Sequence, residues 1–138
     1  MRSASRAIVA VLVLLLATMS AAAAQRVHEI RLEARPDKAI YRFSPADVTA
    51  RPGDVLLFRV TSGQPHSIVF ESAGLSEAAK ESLNGAMSRR VGDLSSPLLT
   101  TEGAEYRIVV PALPPGTYRF YCLPHRAYDE RGQLTIAK

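Results

Sequence analysis

The chain has 138 residues and sets 17 lysine and arginine residues against 13 aspartate and glutamate residues, a formal net charge of +4. That length suits one domain with its own hydrophobic core. A balance this close to neutral, with no basic stripe interleaved with aromatics, argues against a nucleic-acid interface. Arg89-Arg90 is the one local basic pair and reads as a solvated turn.

In chain order, Arg2 and Arg6 precede the apolar run Ala7 to Met19, and Ala21-Ala22-Ala23-Ala24 offers small residues ahead of Gln25. Basic start, apolar centre and small-residue cleavage tract make the three-part pattern of a secretory signal peptide over residues 1–24. The apolar run is short of the roughly 20 residues a bilayer span needs, and no cysteine follows it to accept a lipid anchor. The expectation is therefore a single exported domain over residues 25–138, periplasmic or otherwise outside the inner membrane. It is expected to be monomeric, with no stable membrane insertion and a charge reduced to +2 once Arg2 and Arg6 are removed.

The remaining punctuation is that of an all-β protein. Over Val27 to Ala34, charged Glu29, Arg31 and Glu33 alternate with His28, Ile30, Leu32 and Ala34, a period-2 strand with one wet face. Ile40 to Phe43 is a second strand, ended by Ser44-Pro45, and Val48 to Ala50 leads into the turn Arg51-Pro52-Gly53-Asp54. Val55 to Thr61 is nearly continuous in apolar residues, as a sandwich-core strand would be, and Ser67 to Phe70 is short and apolar. Leu75, Ala78, Ala79 and Leu83 recur at helical spacing, which predicts a short surface helix between Gly74 and Gly85. Strands resume at Glu105 to Val110 and Thr117 to Cys122, on either side of Leu113-Pro114-Pro115-Gly116, and Gln133 to Ile136 closes the chain. Seven to eight short strands with turns between them predict a Greek-key β-sandwich with one helical insert.

Cys122 is the only cysteine, so it has no intrachain disulfide partner, and an unpaired thiol in an oxidising compartment needs an occupant. His125 follows three residues later in Tyr121-Cys122-Leu123-Pro124-His125, and His66 stands far upstream in Gln64-Pro65-His66-Ser67. One thiolate and two imidazoles are the donor set of a trigonal copper site for electron transfer, in which thiolate favours Cu(I) and imidazole serves both states. Taken singly, a cysteine is more often a small buried hydrophobe and a histidine more often structural. The pattern of three is what carries chemistry. His28, at the start of the first strand with no companion donor, reads as structural.

Four segments carry a resemblance: Pro52-Gly53-Asp54 ahead of a strand with Phe58; Pro65-His66-Ser67-Ile68-Val69-Phe70; Gly116 to His125; and Gly132-Gln133-Leu134-Thr135-Ile136. From about Phe43 to Ile136 the chain resembles plastocyanin and its cupredoxin relatives. The resemblance implies His66, Cys122 and His125 as equatorial ligands of one copper ion cycling between Cu(I) and Cu(II). It also implies a redox partner protein docking on an apolar collar of Pro65, Leu123 and Pro124 around His125, with Tyr121 as a second exit path. The family's axial methionine is missing. Its position, five residues after the second histidine, holds Glu130, and Met87 is the only methionine beyond the signal peptide. Two readings of Glu130 stand open, a carboxylate ligand to copper or a surface glutamate paired with Arg126 or Arg131. The function expected is a one-electron carrier, not an enzyme. The alternatives are a periplasmic copper storage or delivery protein and a copper centre that admits an exogenous ligand.

Overall fold

The computed structural model describes residues 23–138, so the expected signal peptide lies almost wholly outside the described residues. Eight strands form in two sheets: β1 (Val27–Arg35), β2 (Ile40–Ser44), β3 (Asp47–Ala50), β4 (Val55–Val60), β5 (Val69–Phe70), β6 (Glu105–Val109), β7 (Gly116–Tyr121) and β8 (Arg131–Ile136). One sheet has the order β2-β1-β4-β6 and the other β3-β8-β7-β5. β1 runs parallel to β4 and β3 parallel to β8, and all other pairings are antiparallel. After β2 the chain crosses to the other sheet at every connection until β7 and β8 pair as neighbours. This is the all-β sandwich the sequence predicts. No helix among the described residues is long and apolar enough to cross a membrane.

Alternation sends one face of each strand inward. Ile30 and Leu32 of β1 meet Tyr118, Phe120, Leu134 and Ile136 of the opposite sheet in one core. At its centre Phe120 stands edge-on to Phe43 (5.0 Å, 87°) and Phe58 (5.5 Å, 90°), the arrangement that ring quadrupoles favour. Five of the six β4 residues are buried, while Arg59 bridges Glu29 and Glu105 on the outside. One expectation for β1 fails. Glu33 is buried, not wet, because the guanidinium groups of Arg35 and Arg42 fold over it. Their hydrogen bonds, Arg42 first, hold its carboxyl below the usual range.

The predicted helix is α1 (Glu77–Ala86), capped by Ser76 Oγ accepting from Ala79 N–H at 3.1 Å. It buries Ala79 and Leu83, whereas Ala78 faces solvent and Leu75 packs before the helix begins. Met87 ends α1 and is buried in the core.

Two strands aim the chain at one end of the sandwich. β4 finishes at Val60, and the following loop turns at Gly63 (φ 66°), where a side chain would run into Ala34. Only glycine fits there, and three residues later the chain delivers His66. β7 finishes at Tyr121, opposite Val69 of β5 and Arg131 of β8, and delivers Cys122.

Candidate metal centre

His66 sits just ahead of β5, where its backbone exchanges two hydrogen bonds with Leu99 (3.1 and 2.8 Å). That bridge pins the start of a segment too short to be a strand of its own. The expected strand from Ser67 is accordingly reduced to Val69–Phe70. Cys122 donates its N–H to Glu130 O (3.0 Å), which closes the loop between β7 and β8. His125 opens a single 3₁₀ turn, Arg126–Tyr128, and Asp129 in left-handed conformation (φ 60°) returns the chain to Glu130.

The four side chains converge. His66, Cys122, His125 and Glu130 place ligand-type atoms within 4.8 Å of one another. His66, Cys122 and Glu130 are fully buried, and only His125 reaches the surface, its side chain 13% exposed. Cys122 Sγ lies 3.5 Å from His125 Nδ1 and 3.8 Å from His66 Nδ1. Metal bonds of about 2.0 Å to nitrogen and about 2.3 Å to thiolate, opened at about 110–120°, separate S from N by about 3.5–3.7 Å. The donor spacing therefore fits a single ion.

Glu130 is not a surface residue. Its carboxylate accepts from His66 Nδ1–H (2.9 Å) and from His125 Nδ1–H (2.7 Å). The arginines offered as its partners are engaged elsewhere. Arg131 pairs with Glu71 and Asp129, and Arg126 lies over the Tyr121 ring at 4.9 Å. Parity explains the direction. Leu134 and Ile136 point inward along β8, so Gly132 and Glu130, at the same two-residue spacing, point inward too. Gly132 has no room for a side chain, because a Cβ would come within 2.5 Å of the Phe120 ring and 2.7 Å of Ala46 O.

Three supporting contacts escape sequence reasoning. His66 Nε2–H donates to Ser62 O (2.7 Å), which fixes the ring and turns Nδ1 toward the cluster. Ser67 Oγ accepts from Leu123 N–H (3.1 Å), stitching the His66 segment to the Cys122 loop. A small polar residue followed by Ile68-Val69-Phe70 was the available signal for it. Tyr41 stacks on Tyr128 beside His125. Burial opposes a charge on His66, but the hydrogen bonds to Cys122, Glu130 and Ser62 outweigh it and raise its pKa to about 10.

Residues 30–137 match the family of copper binding proteins described as plastocyanin/azurin. The chain belongs to that family. Plastocyanin of Vicia faba is 30% identical over 94 residues, which cover 68% of this chain and 86% of that one. The minor chloroplastic plastocyanin isoform of Arabidopsis thaliana is 28% identical over 100 residues, 72% of this chain, and the match spans about half (53%) of its length. Among solved structures, the oxidised plastocyanin of Dryopteris crassirhizoma superposes with a TM-score of 0.62 at 25% identity, covering 79% of this chain and 99% of that one. A pseudoazurin from Sinorhizobium meliloti shares the fold, with a TM-score of 0.51, 18% identity and 83% and 76% coverage. Copper is the cofactor of this cupredoxin, and the His/Cys/His/Glu cluster is where the chain can hold it.

His28 stays outside this chemistry. Its Nε2 pairs with Asp54 Oδ2 at 3.0 Å, beside the turn that precedes β4.

Proposed function

We propose that this chain is an exported one-electron carrier, not an enzyme, in which His66, Cys122 and His125 hold one copper ion and Glu130 stands in the axial place. One observation carries the reading. A thiolate, two imidazoles and a carboxylate meet within 4.8 Å at one end of a rigid sandwich, three of them sealed from water and the fourth reaching the surface. Copper in such a set supplies one-electron exchange between Cu(I) and Cu(II).

The chain's own contribution is to hold the donors still. Ser62 O orients His66, Ser67 Oγ ties the two ligand-bearing segments together, and the Cys122 N–H bond to Glu130 O sets the span of the loop. None of these restraints uses a metal-ligating atom, so each can persist through a change of oxidation state. The outlet is His125. Leu123 (54% exposed), Pro124 and Pro65, each next or close in sequence to a ligand histidine and exposed, form the apolar collar of this reading. A collar of this kind suits brief docking of a redox partner protein with little area to release. Tyr121, half-buried beside Cys122 with Arg126 and Arg131 over its ring, is a second place for electrons to leave.

Glu130 sets the direction of the potential. A carboxylate is a hard anionic donor that stabilises Cu(II), and each ~1.4 kcal/mol of that preference lowers a one-electron potential by roughly 59 mV. Storage or delivery needs donors that open to a competitor, and ligand chemistry needs an open coordination position. Complete burial of three donors weighs against both.

The test is the visible and EPR spectrum of the exported protein after Cu(II) loading, followed by Glu130→Met. The expected result is an intense thiolate-to-copper band and a higher potential in the variant. Absence of a thiolate band would return Cys122 to an inert buried thiol and overturn the reading. An unchanged potential in Glu130→Met would remove Glu130 from the copper.

A further inference from the structure

We propose that Tyr41 is a positioning residue for the copper end of the molecule, acting through Tyr128. From the opposite sheet it braces the turn that sets His125 against Glu130. The inference deepens the copper reading and rests on it for the identity of the metal, but not for the brace itself.

The turn needs a brace. Residues 126–129 are all exposed, so burial does not hold them, and Asp129 occupies left-handed backbone without glycine's freedom. Its backbone bonds are short-range: Tyr128 N–H to His125 O (3.0 Å), Asp129 N–H to Arg126 O (3.2 Å) and Glu130 N–H to His125 O (3.5 Å). Bonds of this span preserve the shape of a turn but leave its tilt on the sandwich free. Tilt is what decides where the His125 imidazole lies relative to the Glu130 carboxylate.

Two ring contacts supply it. Arg126 lies over Tyr121, which belongs to β7, so this contact ties the turn to the strand that already leads to Cys122. Tyr128 stacks on Tyr41 with ring centroids 4.1 Å apart and planes 9° from parallel. Tyr41 belongs to β2 in the other sheet and shares its inward face with Phe43, two residues on, which is locked edge-on against Phe58 and Phe120. The Tyr41 ring also meets the His125 ring at 5.3 Å, tilted 52°. The stack is thus a strut between sheets, running from the strand that carries core residue Phe43 to the ligand turn. An aromatic pair of this kind biases a local open–closed equilibrium by about two- to tenfold.

Tyr41→Ala, Tyr128→Ala and Tyr41→Phe test it, first without metal. In the metal-free protein, hydrogen exchange at the Tyr128 and Glu130 amides should rise about two- to tenfold in both alanine variants. It should stay at the wild-type rate in Tyr41→Phe, and core amides of β4 and β7 should not change. In the copper-loaded protein the EPR spectrum and thiolate band should shift in both alanine variants and recover in Tyr41→Phe. Exchange and spectra unchanged in both alanine variants would overturn the proposal. So would an equal loss in Tyr41→Phe, because the stack needs only the ring, or a rise spread over the core amides. Tyr128 is 58% exposed, so Tyr128→Ala carries the test should Tyr41→Ala fail to fold. A wild-type protein without a thiolate-to-copper band would defeat the copper reading, while the metal-free exchange would still decide on the brace.

Discussion

Two histidine–carboxylate pairs lie beyond opposite ends of β4 along the chain, Asp54 just before it and His66 after the loop that follows it. His28–Asp54 and His66–Glu130 have nearly the same separation, 3.0 and 2.9 Å. Their surroundings differ. Asp54 also accepts the backbone N–H groups of Arg26 and Arg51, both at 3.1 Å, so its oxygens are spent on tying the first strand to a turn. The hydrogen bond from His28, then those two amides, lower its pKa to about 2. Among the described residues the Glu130 carboxylate accepts only from His66 and His125, and a thiol stands within 4 Å of both imidazoles. A pair closed by the backbone is a clasp. A pair whose carboxylate meets only donor side chains, buried and convergent, is a site. Residue type and distance do not separate the two; burial and the identity of the remaining partners do.

The comparison breaks most visibly at Cys122. Cys122→Ser should abolish the thiolate-to-copper absorption altogether, while His28→Ala leaves it at full intensity; titration with Cu(II) under visible spectroscopy checks both. Glu130→Gln keeps the size of the side chain but removes its charge, and voltammetry should find the potential raised, with no shift for Asp54→Asn. Gly132→Ala, two residues from Glu130, forces a Cβ into Phe120 and Ala46 O. It should cost about 1–3 kcal/mol by urea unfolding and disturb the copper spectrum as well. The smallest effect belongs to the clasp. The Asp54 pKa lies below its unfolded value of about 3.9, so its stabilisation is complete above pH ~4 and is lost as pH falls toward about 2. In Asp54→Asn, urea midpoints should be lower at pH 7 and should lack that part of the acid decline.

Much of this was legible along the chain because strands, turns and spacing are local properties. Period-2 alternation for β1, and short runs between turn residues for β2, β6 and β7, placed these strands within a residue or two, and the separation of Cys122 from His125 needs nothing beyond one turn. Glu130 was half legible. Counting back by twos from Ile136 and Leu134 puts it on the inner face, yet a charged residue flanked by Arg126 and Arg131 looks solvated until its partners are known. Glu33 failed the same way in the other direction: its parity is outward, and it is buried by Arg35 and Arg42.

By itself, then, the sequence determined a β-sandwich of seven to eight strands with a short helix, and it pointed to His66, Cys122 and His125 as candidate copper donors. The strands, the helix and the Cys122–His125 pair follow from neighbours within a few positions, whereas His66 joins them from 56 positions upstream. Only the tertiary structure decided that Glu130 turns inward, that His28 closes a clasp, and that Tyr41 reaches the His125 turn. His66 is 64 positions from Glu130 and His28 is 26 from Asp54. A side chain's direction at a turn is chosen by the group it meets there, and in this fold that group comes from a distant part of the chain.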